Sequence, residues 1–256
     1  MPVAVAHRDR VAVLTLDASR GLNVLSAEML DELETRLDGV DVDPGVGAAV
    51  LTGAGARAFS AGADVAAMRE MGPAEARALS AHGQRVAERL ESLRVPVVAA
   101  INGVCVGGGC ELALACDVRV CASTARIGLP EITLGIVPGW GGSQRLPRVV
   151  GVGLATEMIL TGRPLDADAA LRCGLVTHVH PPEELHERAV ALAGELAARA
   201  PLALAAAREL IRQAAGDTSA GLSHERDAFG LVFASEDTTE GVAAFLDKRP
   251  PRFEGR

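Results

Sequence analysis

The sequence predicts an α/β fold closed by a helical C-terminal region, and three observations carry that expectation. Short apolar runs of strand length alternate with longer segments of helical period up to about residue 181. Gly, Pro, Asp and Ser punctuate the joins between them. Beyond Pro181 the strand signal stops, and helical periods fill Pro182–Ala215 and Ser219–Lys248. Strands that alternate with helices imply a sheet whose faces are covered by those helices. At 256 residues the chain buries a substantial core. We divide it into a core at 1–181 and a helical region at 182–256.

Each element has a local reason. Val11–Leu16 is a strand bounded by Asp17 and a Ser19-Arg20-Gly21 turn. Ser26 is placed to cap a helix with Met29, Leu30, Leu33 and Leu37 on its inward face. Gly47–Thr52 is a second strand and leads into a loop of small residues, Arg57–Asp64. Pro73 suits the first turn of a helix that runs to about Leu93, with Leu79, Val86, Leu90 and Leu93 inward. Pro96 introduces the strand Val97–Ile101, and Asp117–Cys121 gives another. Asp166–Arg172, closed by Gly174, is a short capped helix. In the last third, Leu185, Val190, Leu192 and Leu196 exceed what one surface helix needs, so packing against the core or a neighbouring subunit is expected.

Composition narrows the function. Hydrophobic residues at 49% and charged ones at 23% describe a globular chain. A net charge of −8 with pI near 5.3 excludes a nucleic-acid-binding face. Lys248 is the only lysine, so there is no P-loop, and phosphate contacts fall mostly to arginine. The longest apolar stretch, Val95–Cys110, is interrupted by Asn102 and is shorter than the roughly 18 residues a bilayer span needs. Met1–Arg10 has no apolar signal-like core, so a cytoplasmic location away from membranes is expected. The five cysteines form no Cys-x-x-Cys pair and read as reduced core residues. His178 and His180 share one face of a strand but lack a third ligand at metal spacing, so no metal site is expected.

Two other motifs lead nowhere. Gly53-Ala54-Gly55-Ala56-Arg57-Ala58 has a form of the dinucleotide fingerprint, but the acid near the required offset, Glu75, falls inside a helix. Ser60 sits in Ala58-Phe59-Ser60-Ala61-Gly62, which lacks the first glycine of a nucleophile elbow.

The chemistry gathers in three segments. Gly107-Gly108-Gly109-Cys110-Glu111 opens a compact apolar helix, and Glu131 follows twenty residues later in Leu129-Pro130-Glu131. Glycines let backbone approach a ligand, and a helix N-terminus offers bare N–H groups to negative charge. A lone carboxylate among Cys, Leu and Ala is costly unless it has a partner or a task; the plainer alternative is an acid that complements the helix dipole. The second segment is Arg57–Val65, able to present another backbone N–H. Two such loops are what a thioester or enolate oxygen needs. The third is Leu134–Leu146, with Pro138-Gly139-Trp140-Gly141-Gly142 at its centre.

In this order, and from Asn23-Val24-Leu25-Ser26 to Phe245-Leu246-Asp247-Lys248-Arg249, these segments resemble the crotonase superfamily, the enoyl-CoA hydratase/isomerase family. The resemblance implies a spiral of repeated β-β-α units with a helical C-terminal oligomerisation region that builds trimers or dimers of trimers. It implies an enoyl-CoA hydratase, which adds water across the 2,3-double bond of an acyl-CoA thioester without metal or redox cofactor. The N–H groups of Ala63 and Gly108 match the oxyanion hole. Glu111 matches the base on water, and Glu131 the donor of a proton to C2. Leu22, Val24, Ala61, Gly62, Asp64, Val65, Pro130 and Leu134 match positions along the CoA and substrate path. Phe229 and Lys248 match C-terminal positions that touch CoA, in some members from the next subunit, although Phe229 would also suit plain core packing. Arg57 stands where relatives carry a basic residue near the phosphates. Trp140 replaces a small residue of some relatives and would narrow the acyl end. The alternatives are a Δ3,Δ2-enoyl-CoA isomerase or another lyase of the family, or a non-catalytic acyl-CoA-binding scaffold. Family isomerases commonly use a single carboxylate in a different place, so the presence of both acids favours hydration.

Overall fold

The computed structural model describes residues 2–18, 21–214 and 218–256, of which 218–221 by their backbone alone. The chain opens with β1 (Val3–Arg8), β2 (Val11–Leu16) and α1 (Ala27–Val42). Then come β3 (Ala48–Gly53), β4 (Ala58–Ser60), α2 (Pro73–Ser92), β5 (Val97–Ile101), β6 (Val104–Val106) and α3 (Gly108–Ala115). Next are β7 (Val118–Ala122), β8 (Arg126–Gly128), α4 (Gly142–Val150), α5 (Val152–Thr161), β9 (Leu165–Asp166), α6 (Ala167–Arg172) and β10 (His178–His180). Four helices follow: α7 (Leu185–Ala197), α8 (Pro201–Gln213), α9 (Thr218–Phe233) and α10 (Glu236–Asp247).

The expected β-β-α repeat is visible in how strands are dealt to two sheets. The larger sheet has the order β1-β2-β3-β5-β7-β10, the smaller β4-β6-β8-β9. In β3-β4-α2 and β5-β6-α3 the first strand joins the large sheet, the second joins the small one, and a helix returns the chain. Neighbours within these stacks are parallel, while β1 pairs antiparallel with β2, and β9 with β8.

The central strands are largely buried on both faces, which is why they read as mostly apolar runs. Alternate residues enter two cores. Ala12, Leu14, Ala49, Leu51, Ala99 and Ile101 join the core under α1, α2 and α3. Val11, Val13, Ala48, Val50, Val98 and Ala100 meet Leu185, Ala189 and Ala193 of α7 on the other side.

Helix α1 begins as expected. Ser26 Oγ accepts from Met29 N at 3.2 Å, and Met29, Leu30, Leu33 and Leu37 are buried. Helix α2 has Pro73 at its first turn and buries Val86 and Leu90, with Leu79 half-buried. Strands β3 and β7 each begin one residue later than the sequence suggests.

The C-terminal third differs in detail from the expectation. The helical stretch from Pro182 breaks at Ala198–Ala200, and α7 and α8 meet at 108°. The stretch from Ser219 breaks at Ala234–Ser235 into α9 and α10, where Ser235 Oγ accepts from Thr238 N. Ser19, Arg20 and Ala215 lie outside the described residues. Helix α7 takes its expected apolar residues to the sheet. Helix α8 is tied on by Arg208, whose Nε donates to Asp117 Oδ1 at 2.8 Å and whose guanidinium also donates to Leu93 O at 2.6 Å. Among the described residues no single helix is long and apolar enough to cross a membrane.

Candidate active site

Strands β4 and β6 are parallel neighbours, so the loops leaving their C-terminal ends lie side by side. The first loop is Ala61-Gly62-Ala63 and the second is Gly107, which leads straight into α3. Gly62 has φ +91° and Gly107 φ +55°, conformations that favour glycine. A Cβ added at Gly62 would lie 2.9 Å from Val106 O and 3.4 Å from Gly108 N, so the first loop packs against the second too closely for a side chain at Gly62.

Hydrogen bonds fix the first loop from both sides. Ala61 N donates to Leu22 O, Leu25 N donates to Gly62 O, and Gly62 N donates to Ser60 Oγ. The N–H of Ala63, and that of Gly108 in the first turn of α3, donate to no partner among the described residues. Both residues line one cavity of about 470 Å³.

Two carboxylates border the same cavity. Glu111, in the first turn of α3, is 2% exposed. Its Oε1 accepts from Trp140 N at 2.7 Å and from Gly142 N at 2.8 Å. Burial raises its pKa, against the opposing pull of those two N–H groups and of Arg145. Glu131 follows Pro130 and opens a single 3₁₀ turn, Glu131–Leu134. It is 8% exposed, and Oε2 has no hydrogen-bond partner among the described residues. Burial, and then the negative charge of Glu111, push its pKa up to about 7. Carboxylates whose surroundings differ in this way are suited to opposite acid–base tasks.

The segment that grips Glu111 is itself held by α2. Ser80 Oγ and Gln84 Nε2 both donate to Gly139 O, at 2.6 and 2.9 Å. Arg145 donates to Trp140 O at 2.9 Å, and its Nε and Nη2 pair with the two carboxylate oxygens of Glu91, each at 2.7 Å. Gly141, at φ +105°, turns the chain between these anchors. Ser80, Gln84 and Glu91 escaped the sequence reading. Their spacing, four and then seven residues, keeps them on one face of α2 beside the apolar stripe, and a polar line there was the available signal.

Of the residues singled out from sequence, Ala61, Gly62, Ala63, Val65, Gly108, Glu111, Pro130, Glu131 and Leu134 all line the cavity. Leu22 and Val24 lie behind the first loop, where Leu22 O receives Ala61 N and Val24 O receives Ser26 N. The carboxylate of Asp64 accepts from Ala66 N and Ala67 N, capping the short turn Ala67–Glu70. Arg57 is exposed at the turn before β4. Phe229 and Lys248 do not line the cavity of the single chain. Phe229 is 69% exposed, with its ring 5.7 Å from that of Phe233, so core packing is not its role within one chain. Lys248 ends α10 at φ +54°.

His178 and His180 stack with ring centroids 6.0 Å apart, and the described residues hold no cluster suited to a metal ion. A charged hollow beside the C-terminal tail contains another buried acid, Asp237, but both its oxygens accept N–H groups, from Glu254 and Gly255.

Residues 6–256 match the family model described as enoyl-CoA hydratase/isomerase. The chain is 42% identical to a crotonyl-CoA hydratase of Syntrophomonas wolfei, over 98% of this chain and 97% of that protein. It is 44% identical to a 2,3-dehydroadipyl-CoA hydratase of Escherichia coli, over 98% of both. Among solved structures, an enoyl-CoA hydratase from Bacillus anthracis superposes with a TM-score of 0.96 at 40% identity, over the whole of each chain.

Proposed function

The chain belongs to the enoyl-CoA hydratase/isomerase family, and we propose from that premise that it hydrates the 2,3-double bond of a 2-enoyl-CoA thioester to give a 3-hydroxyacyl-CoA. The observation that carries the proposal is one apolar-walled cavity on which two free N–H groups and two buried carboxylates converge.

The thioester oxygen sits between the N–H groups of Ala63 and Gly108. Negative charge builds on it as a nucleophile attacks C3, and donors fixed beforehand stabilise that charge without reorganisation. Glu111, oriented by Trp140 N and Gly142 N, holds the water and takes its proton as the C3–O bond forms. Glu131 retains a proton close to neutrality and delivers it to C2. One water has then been added, and the two glutamates exchange a proton with solvent to reset. Every charge in this sequence is met by an N–H or a carboxyl group, so the proposal includes neither metal nor redox cofactor, and coenzyme A enters only with the substrate.

The path for CoA is assigned to the backbone around Leu22, Val24, Ala61, Gly62, Asp64 and Val65. Pro130 and Leu134, which line the cavity, are assigned to the substrate path. Phe229 and Lys248 are assigned to the CoA site of an adjoining subunit, in a homotrimer or a dimer of trimers. The exposed apolar residues of α9 and α10, among them Leu231 and Phe245, support that assembly. A cytoplasmic location remains part of the proposal.

The test is to incubate the protein with crotonyl-CoA and with a 3-enoyl-CoA. The proposal requires loss of the enone absorbance with formation of 3-hydroxybutyryl-CoA. Conversion of the 3-enoyl thioester without hydration would make it an isomerase, and no turnover of either would make it a binding scaffold.

A further inference from the structure

Trp140 occupies a slot made by two glycines. A Cβ built on Gly83 would lie 2.2 Å from indole Cδ2, and one built on Gly108 would lie 2.3 Å from Cζ3. Neither position tolerates a side chain while the indole stands between them. Gly83 has no turn to make, because it lies within the 20-residue helix α2, where glycine costs about 0.5–1 kcal/mol relative to alanine. Its presence is explained by the ring it accommodates.

The indole cannot swing aside. The residue is 4% exposed, its backbone N–H donates to Glu111 and its backbone carbonyl accepts from Arg145. Gly108 stands between Gly62, on which an added Cβ would lie 3.4 Å from its nitrogen, and the indole, which covers its α-carbon. The ring therefore lies across Gly108 from the Ala61–Gly62 loop assigned to CoA, on a cavity whose apolar lining includes Met71, Leu79 and Ile136. Among the described residues, the only charged side chains on the lining are Glu111 and Glu131.

We propose that Trp140, seated in the Gly83–Gly108 slot, sets the size of the acyl group, so that the site takes short, uncharged 2-enoyl chains and discriminates against long ones. The inference rests on the hydratase reading for its substrate class. The indole fills the space between α2 and α3 that a longer chain would enter. With no cation on the wall, a chain ending in a carboxylate would be desolvated without a partner.

The experiment compares wild type, Trp140→Ala and Trp140→Phe in two ways. Binding of saturated butyryl-CoA and decanoyl-CoA, which cannot be hydrated, is measured by calorimetry; kcat/KM is measured on the corresponding 2-enoyl thioesters. Loss of the backing behind Gly108 affects both chain lengths alike, so the decanoyl-to-butyryl ratio reports only the wall. That ratio should rise by about tenfold or more in Trp140→Ala, the size of effect that extra methylenes in an apolar pocket produce. Trp140→Phe should shift it less and in the same direction, and it decides the matter if the alanine variant does not fold. An unchanged ratio in a folded variant, or a wild type indifferent to chain length, would overturn the inference while leaving hydration intact. A shifted binding ratio in a protein that hydrates nothing would overturn the hydratase reading and leave the size wall standing.

Discussion

Replacing Glu131 with glutamine should leave the protein nearly inactive yet more stable above neutral pH. The carboxyl group titrates near 7 instead of 4.5 because burial, then the charge of Glu111, disfavours its ionised form. A folded-state pKa above the unfolded one means that stability from this group is full below about pH 4.5. It declines as pH rises and is lost once pH passes about 7. At 1.36 kcal/mol per pH unit the interval corresponds to about 3 kcal/mol. The group opens on a cavity that admits solvent, and screening reduces this to about 1–2 kcal/mol. Glutamine keeps the shape and has no proton to lose. Urea unfolding at fixed protein concentration, from pH 5 to pH 8, should show the variant close to wild type at pH 5. By pH 8 it should be more stable by about 1–2 kcal/mol, with an unchanged dependence on urea. Parallel curves across the range, or a variant that loses stability at pH 8, would refute the account of Glu131.

Three further outcomes are expected. Gly83→Ala should destabilise the protein by about 1–3 kcal/mol although alanine is the better helix former, because its Cβ would lie 2.2 Å from the indole of Trp140; thermal unfolding checks the sign, and Gly83→Ala should be harmless in a Trp140→Ala background. Arg145→Met should lower kcat about 100-fold by loosening the turn that presents Trp140 N and Gly142 N to Glu111. Removing that positive charge should also move the acid limb of the pH–rate profile upward, since Arg145 holds the Glu111 pKa down. Sedimentation should find an assembly built on trimers, with Phe245→Glu, at a residue 82% exposed in the single chain, driving dissociation. A stable wild-type monomer at micromolar concentration would contradict that assembly.

How legible each element was follows from where its neighbours lie in the chain. β2, β3, β5 and β7 are mostly apolar because both faces of their sheet are covered, so their local composition reports a global fact. β4, β6 and β8 have three residues each and no readable period; their pairing in the small sheet is what makes them strands. β1 escaped because all but Val3 of its residues are exposed on an edge. The break before α8 had a signal in Pro201, which suits a helix start and not a helix interior.

The site divides along the same line. Glu111 and Glu131 stood out as acids in apolar and glycine-rich surroundings, and the family resemblance supplied their order. The grip on Glu111 was not legible, because Glu91 and Arg145 are separated by 54 residues and meet only once α2 and α4 are packed. Trp140 was visible as a bulky residue in a glycine-rich run. Its slot was not, since Gly83 has no unusual backbone conformation to mark it.

Turnover of crotonyl-CoA by Glu111→Gln, Glu131→Gln and the double variant tests the central claim most directly. Glutamine preserves size and hydrogen bonding while removing proton transfer. If both acids serve one addition of water, each single variant should lose on the order of 10²–10⁴ in kcat while still binding acyl-CoA. The double variant should fall little further, because groups that act as a unit are not additive. Near-wild-type hydration by either single variant would contradict the assignment of the two carboxylates to one reaction.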